Sequence, residues 1–385
     1  MEFAFTEEQQ MIRETAAQFL ADNCDPAAVR RAMATESGFE PQMWQRIAGE
    51  MYWTAIHIPE EYGGLGLGYV ELVAVMEQMG RYLLCAPYFS SVCLGANALL
   101  LAGSEAQKVE YLPQIADGSM RATLAWCDAS GRWDADGVSA TATGKGDAFV
   151  LDGSYRYVVD GHTADLLVVA ARAPGSSGGA GLSLFVLPAD TAGVTRTWLP
   201  TMDQTRKLAE LRLDNVSVPA EALLGAEGGA HAALGKTLAL ASVALAAEQA
   251  GGAQQILDMA VAYTKERQQF GRAIASFQAI KHKAADMMLK AEAAKSAVYY
   301  AACVAQEALT GGAQGAQLAE AASLAKAYCS DTYFFNAGTA MQLHGGVGFT
   351  WEYDVHLYFK RARASESFLG DGAEHRERIA VELGL

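Results

Sequence analysis

The sequence predicts an α+β multidomain protein: an N-terminal α-helical domain (residues 1–120), a central β-barrel or sandwich (121–226) and a C-terminal four-helix bundle (227–385). Three observations carry this expectation. Apolar residues recur at helical spacing through the first part, short β-rich runs broken by Gly, Asp and Pro fill the middle, and long Ala-rich helical stretches fill the rest. In the first part, Thr6 and Gln9 make a capping box ahead of Met11, Ile12, Phe19 and Leu20. "EPQMWQRIAGE" (40–50), "YVELVAVMEQMGRYL" (69–83) and "EAQKVEYLPQIADG" (105–118) continue the helical pattern. "PEEYGGLGLG" (59–68) invites reading as a dinucleotide fingerprint, but Tyr69 stands where the last glycine is needed and no strand precedes it. It reads as an interhelical turn.

From Arg121 onward, "RATLAW", "GVSATAT", "AFVLDG", "YRYVVD", "DLLVVAAR", "LSLFVLP", "GVTRTW" and "AELRLDNVSVP" read as short strands without intervening helices. That is the pattern of a small barrel or sandwich, with "APGSSGGAG" (173–181) as a hairpin tip. Helical stretches then run over 228–265, 276–310, 314–343 and a short final segment. Ser276 is the expected N-cap of the second, and "TGGAQG" (310–315) breaks it from the third.

Of 385 residues, 51% are hydrophobic and 19% charged, as in a globular protein with a large core. The net charge of −15 argues against nucleic acid and anionic membrane as partners, because nothing offsets phosphate repulsion. Cys24, Cys85, Cys93, Cys127, Cys303 and Cys329 form no CxxC pair, which fits free thiols in a reducing compartment. "MEFAFTEEQQ" lacks the order of a signal peptide, and no apolar run approaches the ~18 residues of a spanning helix. A cytoplasmic protein without membrane insertion is expected. No metal site is expected either; His344 and His375 read as structural.

Three stretches could carry chemistry. "YTKERQQFGRAIASFQAIKHKAADMM" (263–288) sets Arg267, Gln269 and Phe270 at a helix end and Phe277–Gln278 at the next helix start. A charged fork, an amide and an aromatic face suit a phosphate and a planar heterocycle. The same residues also suit a helix hairpin in which Arg caps carbonyls and Phe is core. "QLHGGVGF" (342–349) offers Gly345, Gly346 and Gly348 for close backbone approach to a ligand, or for a plain helix end. "SESFLGDGAEHR" (365–376) puts Glu366, Asp371 and Glu374 on a glycine-jointed loop, as a base or as a helix cap.

"RQQFGRAIASFQAIKHKAADM" followed by "QLHGGVGF" resembles the C-terminal domain of the acyl-CoA dehydrogenase family, and the helix–strand–helix order extends the resemblance over nearly the whole chain. The resemblance implies FAD bound across a subunit interface in a homotetramer. It also implies α,β-desaturation of an acyl-CoA thioester, in which a carboxylate takes the α-proton, the β-hydride moves to flavin N5, and electrons pass to an electron-transfer flavoprotein or similar acceptor. Arg267, Gln269 and Phe270 match the family's Arg-x-[Thr/Gln]-Phe, Gln278 matches the Gln after the next aromatic, and Gln342, Gly345 and Gly346 match its Q-x-x-G-G. All of these would contact FAD.

Elsewhere the chain departs from the family pattern. Where the family has T-E-P-x-x-G-S-D there is "AWCDASGRWD", placing Trp126 and Cys127, or Asp128, beside the flavin. Where it has W-I-T-N-G there is "YVVDG", with Tyr157 at the Trp and Val159 at the Thr position. Leu369 stands at the Glu of the family's Y-E-G-T, and Ala241 at the alternative base position on the long helix. Glu248 lies about 10 Å further along that helix. Asp371 remains, two residues past the usual place, as base or N-cap, while Glu366 pairs with Arg363. Small residues at Ala239, Ala241 and Ser242 suggest room for a bulky acyl group. Three readings follow: a complete acyl-CoA dehydrogenase using Asp371, a partner subunit of an α2β2 heterotetramer without its own base, or a relative oxidising nitroalkanes or amines.

Overall fold

The computed structural model describes residues 5–385. In chain order the helices are α1 (Glu7–Asn23), α2 (Pro26–Ala34), α3 (Pro41–Gly49), α4 (Tyr69–Arg81), α5 (Asn97–Ala102) and α6 (Glu105–Ala116), followed after the strands by α7 (His231–Glu266), α8 (Gln278–Thr310), α9 (Leu318–His344), α10 (Val355–Ser367) and α11 (Gly372–Glu382). The strands are β1 (Ala122–Ala125), β2 (Thr141–Lys145), β3 (Ala148–Val159), β4 (Leu166–Arg172), β5 (Leu182–Pro188), β6 (Val194–Leu199), β7 (Leu208–Pro219) and β8 (Leu223–Leu224), with a two-stranded ribbon, β9 (Gln268–Gln269) and β10 (Arg272–Ala273), between α7 and α8. The Thr6–Gln9 box caps α1, and the same device, Ser104 with Gln107, starts α6. Residues 60–62 form a short 3₁₀ turn ahead of α4, as an interhelical turn requires.

The chain divides into two compact units. One combines the segment ending at Arg30 with Tyr69–Leu84 and Ser242–Leu385; the other combines Arg31–Gly68 with Cys85–Ala241. In the second unit the strands join in the order β6-β7-β3-β2-β4-β5-β8, with β1 beside β4 in parallel. The two halves of this sheet meet at one pairing, Thr141 opposite Arg172. Leu151, Tyr155, Leu211 and Leu213 from one half share a core with Leu167, Val169, Phe185 and Leu187 from the other. The Tyr155 hydroxyl donates to the Ala170 carbonyl across it, at 3.0 Å. Among the described residues no pairing of β6 with β8 closes the sheet, so the expected barrel is an open sheet folded over its own core. "AFVLDG" and "YRYVVD" are one strand, β3, with register shifts between Leu151 and Gly153 and between Tyr155 and Val158. A bulge lets a single strand bend where the sequence suggests a turn.

The first unit is helical. α8 and α9 pack through small buried side chains (Ala291, Ala294, Ala301, Ala325, Cys329) that let the helix backbones approach. Two glycines go further. A Cβ on Gly80 of α4 would lie 1.9 Å from the Glu248 carbonyl oxygen of α7, and one on Gly251 would lie 1.8 Å from that of Glu77. The crossing is backbone on backbone and admits no side chain. Two expectations change here. The final helical segment is two helices, α10 and α11, so the bundle has a fifth member. Ser276 is not an N-cap: its hydroxyl donates back to Ala273, and Phe277 occupies the cap without a side-chain bond.

Candidate functional site: an exposed ribbon, a glycine loop and the α10–α11 turn

The β9–β10 ribbon turns through Phe270 (φ 54°) and Gly271 (φ 75°), with Gln269 opposite Arg272. Two consecutive left-handed residues make the tight hairpin turn that matches strand twist. Gly271 therefore serves a hairpin rather than a helix end. The turn leaves Phe270 91% exposed, which removes the reading of this ring as core. Arg267 and Gln269 are also exposed. The Arg272 guanidinium lies 4.1 Å above the Phe277 ring, which meets Phe270 edge-on at 6.1 Å. Gln278 opens α8 and is exposed.

At the far end of α9, Gln342 is exposed and lines an open cavity of about 490 Å³ with Lys283, Phe335, Gly338 and Thr339. A Cβ on Gly345 or Gly346 would meet nothing within 4 Å, so their backbone is open to a ligand. Tyr263 stacks on His344 at 4.2 Å beneath this loop, and its hydroxyl donates to the His344 carbonyl. Guanidinium, amides, an exposed aromatic ring and uncovered glycine backbone are the donor set a dinucleotide with a planar ring system needs, and they fit FAD.

In the other unit, Trp126 is buried; its indole N–H donates to the Trp133 carbonyl and its ring lies 5.7 Å from that of Trp133, which in turn faces Tyr157 at 6.2 Å. Tyr157 adopts φ 62° and Asp160 φ 51°. Val159 is buried and its carbonyl accepts from the Thr123 hydroxyl at 2.7 Å. Cys127 is buried, and burial, helped by the Asp128 charge, pushes its thiol up to about 12, so it is no nucleophile at neutral pH. Burial raises Asp128 itself, but hydrogen bonds from Ser130 and the Arg132 charge outweigh this and hold it below the ordinary carboxylate value.

The loop between α10 and α11 has Leu369 only 2% exposed, at φ 64°, followed by Gly370 at φ 104°. Asp371 accepts from the backbone N–H groups of Ala373 and Glu374 at 2.9 Å, while Glu374 returns to the Asp371 N–H at 3.1 Å, so both carboxylates form the α11 capping box. Glu366 pairs with Arg363. Glu248 lies 3.5 Å from the buried Arg361 guanidinium. His375 is buried under the loop; its Nε2 donates to the Leu369 carbonyl at 3.1 Å, and burial, with the Lys326 and Arg378 charges adding, pushes it down to about 3.

One residue here escapes the sequence reading. Lys326 of α9 is fully buried and donates to Ser330 Oγ (2.8 Å) and to the carbonyls of Gly370 (2.8 Å) and Glu366 (3.1 Å). The signal was available: Lys326 sits four residues after Ala322 and three before Cys329, on the buried stripe of α9.

The sequence pattern of the acyl-CoA dehydrogenase N-terminal domain matches residues 6–119, and that of the C-terminal domain matches residues 227–384. The chain belongs to the acyl-CoA dehydrogenase family. Acyl-CoA dehydrogenase IpdE2 of Mycolicibacterium smegmatis is 32% identical over 98% of this chain and 99% of that protein. Butyryl-CoA dehydrogenase from Megasphaera elsdenii superposes with a TM-score of 0.92 at 28% identity, covering 100% of both chains. A chain of the ChsE4–ChsE5 complex from Mycobacterium tuberculosis superposes at 0.88 and 27% identity, over 100% of this chain and 99% of that one. Members of this family are FAD flavoproteins, and the exposed donor set described above fits that cofactor. No helix among the described residues is long and apolar enough to cross a membrane.

Proposed function

We propose that this chain is the base-less subunit of a mixed α2β2 acyl-CoA dehydrogenase: it supplies half of the FAD site, while a sister subunit supplies the carboxylate that removes the α-proton of an acyl-CoA thioester. The observation that carries this reading is the state of the base position. Leu369 occupies it, and Asp371, Glu374, Glu366 and Glu248 are each held in a cap or an ion pair. FAD, when bound, supplies the hydride acceptor. In this reading Arg267 holds a phosphate; Gln269, Gln278 and Gln342 hydrogen-bond the cofactor; Phe270 covers an aromatic face; and the backbone of Gly345 and Gly346 lies against the adenosine end. Backbone around Trp126, Cys127, Tyr157 and Val159 faces the flavin. The ChsE4–ChsE5 likeness supports a two-chain assembly. A division into domains at 1–120, 121–226 and 227–385, a cytoplasmic location, and electron transfer to an electron-transfer flavoprotein or similar acceptor belong to the same reading. So does room for a bulky acyl group beside Ala239, Ala241 and Ser242, an idea that ends if only short linear thioesters bind.

The test is to purify the chain alone and record FAD per subunit and flavin bleaching with a panel of acyl-CoAs. Little flavin and no bleaching until a Glu-bearing sister chain is added is the expected result. Full occupancy with rapid bleaching by the chain alone overturns the reading and turns attention to Asp371. The Asp371→Asn variant of the active assembly is expected to bleach as fast as its parent, as a cap should.

A further inference from the structure

The contacts of Lys326 gather on one short piece of chain. Its ammonium has three protons, and the structure gives them three acceptors: Ser330 Oγ, the Glu366 carbonyl at the end of α10 and the Gly370 carbonyl just past Leu369. The two carbonyls flank a turn in which Leu369, a γ-branched residue, is held in the left-handed region that L-residues rarely occupy. Such a conformation persists only where its surroundings over-determine it. The Leu369 carbonyl is taken by His375, and the Gly370 N–H donates to the Ser367 carbonyl at 3.3 Å. The Leu369 N–H has no backbone acceptor among the described residues.

We propose that Lys326 is a positioning residue for the Leu369–Gly370 turn: by clamping the Glu366 and Gly370 carbonyls it keeps the Leu369 N–H, which has no backbone acceptor, available as a donor for the oxygen of a CoA thioester. The role of the N–H rests on the functional reading above, whereas the clamp does not. The number of donors in the clamp depends on protonation. Burial pushes Lys326 down to about 7, against the opposing pull of Cys329 on its own helix and of Glu366, Asp371 and Glu374 on the loop and α11; His375 of α11 faces it in its neutral form. A neutral amine has two N–H bonds and a lone pair, so one of the three acceptors must be released or must itself donate. Ser330 can donate only by giving up its bond to Gln249 Oε1 (3.3 Å); Gln249 in turn holds the Ser365 carbonyl (3.0 Å) at the base of the same loop. The two N–H bonds that remain suffice for the Glu366 and Gly370 carbonyls when the Ser330 contact is the one released.

The test compares the full chain with Lys326→Met, both with FAD in excess, reading amide hydrogen exchange and the binding of acetyl-CoA against that of free CoA. Exchange at Gly370 and Asp371 is expected to rise at least tenfold over that in α8. Acetyl-CoA is expected to weaken about tenfold, the size of one neutral hydrogen bond, while CoA stays within about twofold. If Lys326→Met does not fold, Lys326→Gln, which keeps two N–H donors on a shorter side chain, is read in its place. Unchanged exchange at the turn, or an even rise across the whole unit, overturns the positioning role. If acetyl-CoA binds neither protein, the donor role of the Leu369 N–H falls, and exchange still decides the clamp.

Discussion

Two turns in the helical unit have the same backbone signature and opposite fates. Phe270–Gly271 and Leu369–Gly370 each place a large apolar residue at positive φ, followed by a glycine that continues the turn. Phe270 is 91% exposed and Leu369 2% exposed. Strained backbone is kept where something over-determines it. At Leu369 the cause lies within the chain: His375 holds its carbonyl, and Lys326 holds those of Glu366 and Gly370. At Phe270 a two-residue hairpin holds the ring outward, where nothing in its own chain covers it in proportion to its size. One turn is finished by its own unit, and the other leaves its ring exposed.

The sharpest way to break this contrast is to unsettle the buried side. Arg361→Ala leaves Glu248 in the interior without that cation, and removal of one partner of a buried pair costs about 3–5 kcal/mol. Urea denaturation should show it as a lower midpoint, and a loss below about 1 kcal/mol would mean that the pair is solvated in solution.

A second probe is acid. His375 takes up its proton near 6.5 when unfolded but only near 3 when folded, so the unfolded state binds more protons between those values. Stability from this group is full above pH 6.5 and falls by roughly 4 kcal/mol as pH drops to 3. His375→Gln should remove that slope, measured as urea midpoints at neutral and acid pH; an unchanged slope would place the acid sensitivity elsewhere.

The smallest effect on stability belongs to the exposed turn. Phe270→Ala should change unfolding free energy by less than about 0.5 kcal/mol while weakening FAD binding tenfold or more. Equal flavin content by absorbance would show that the ring is not part of the cofactor site.

Much of this contrast was legible in the sequence. Arg267, Gln269, Phe270 and the glycines of 345–348 stood out because short runs of chemically distinctive residues interrupt long Ala-rich helices, and local interruptions survive in one dimension. Asp371 and Glu374 read as a capping box for the same reason: both partners lie within one turn. The strands were legible from β-branched runs, but their closure was not. Whether β6 meets β8 depends on pairing between residues distant in sequence, which alternation cannot reveal. The burial of Lys326 was legible from its place on the apolar stripe of α9, but its role was not: beside Ser330, its acceptors are backbone carbonyls 40 and 44 residues away, which every residue possesses.

The crossing of α4 with α7 at Gly80 and Gly251 has a consequence for the order of synthesis. α1 and α4 belong to the helical unit, yet the chain that covers them begins at Ser242. A ribosome adding about 5–20 residues per second needs on the order of ten to thirty seconds to travel from the end of the Tyr69–Leu84 segment to α7. During that interval the strand-bearing unit can complete itself while the buried faces of α1 and α4 wait uncovered. The two glycines, at which α7 closes onto α4, are where that wait ends.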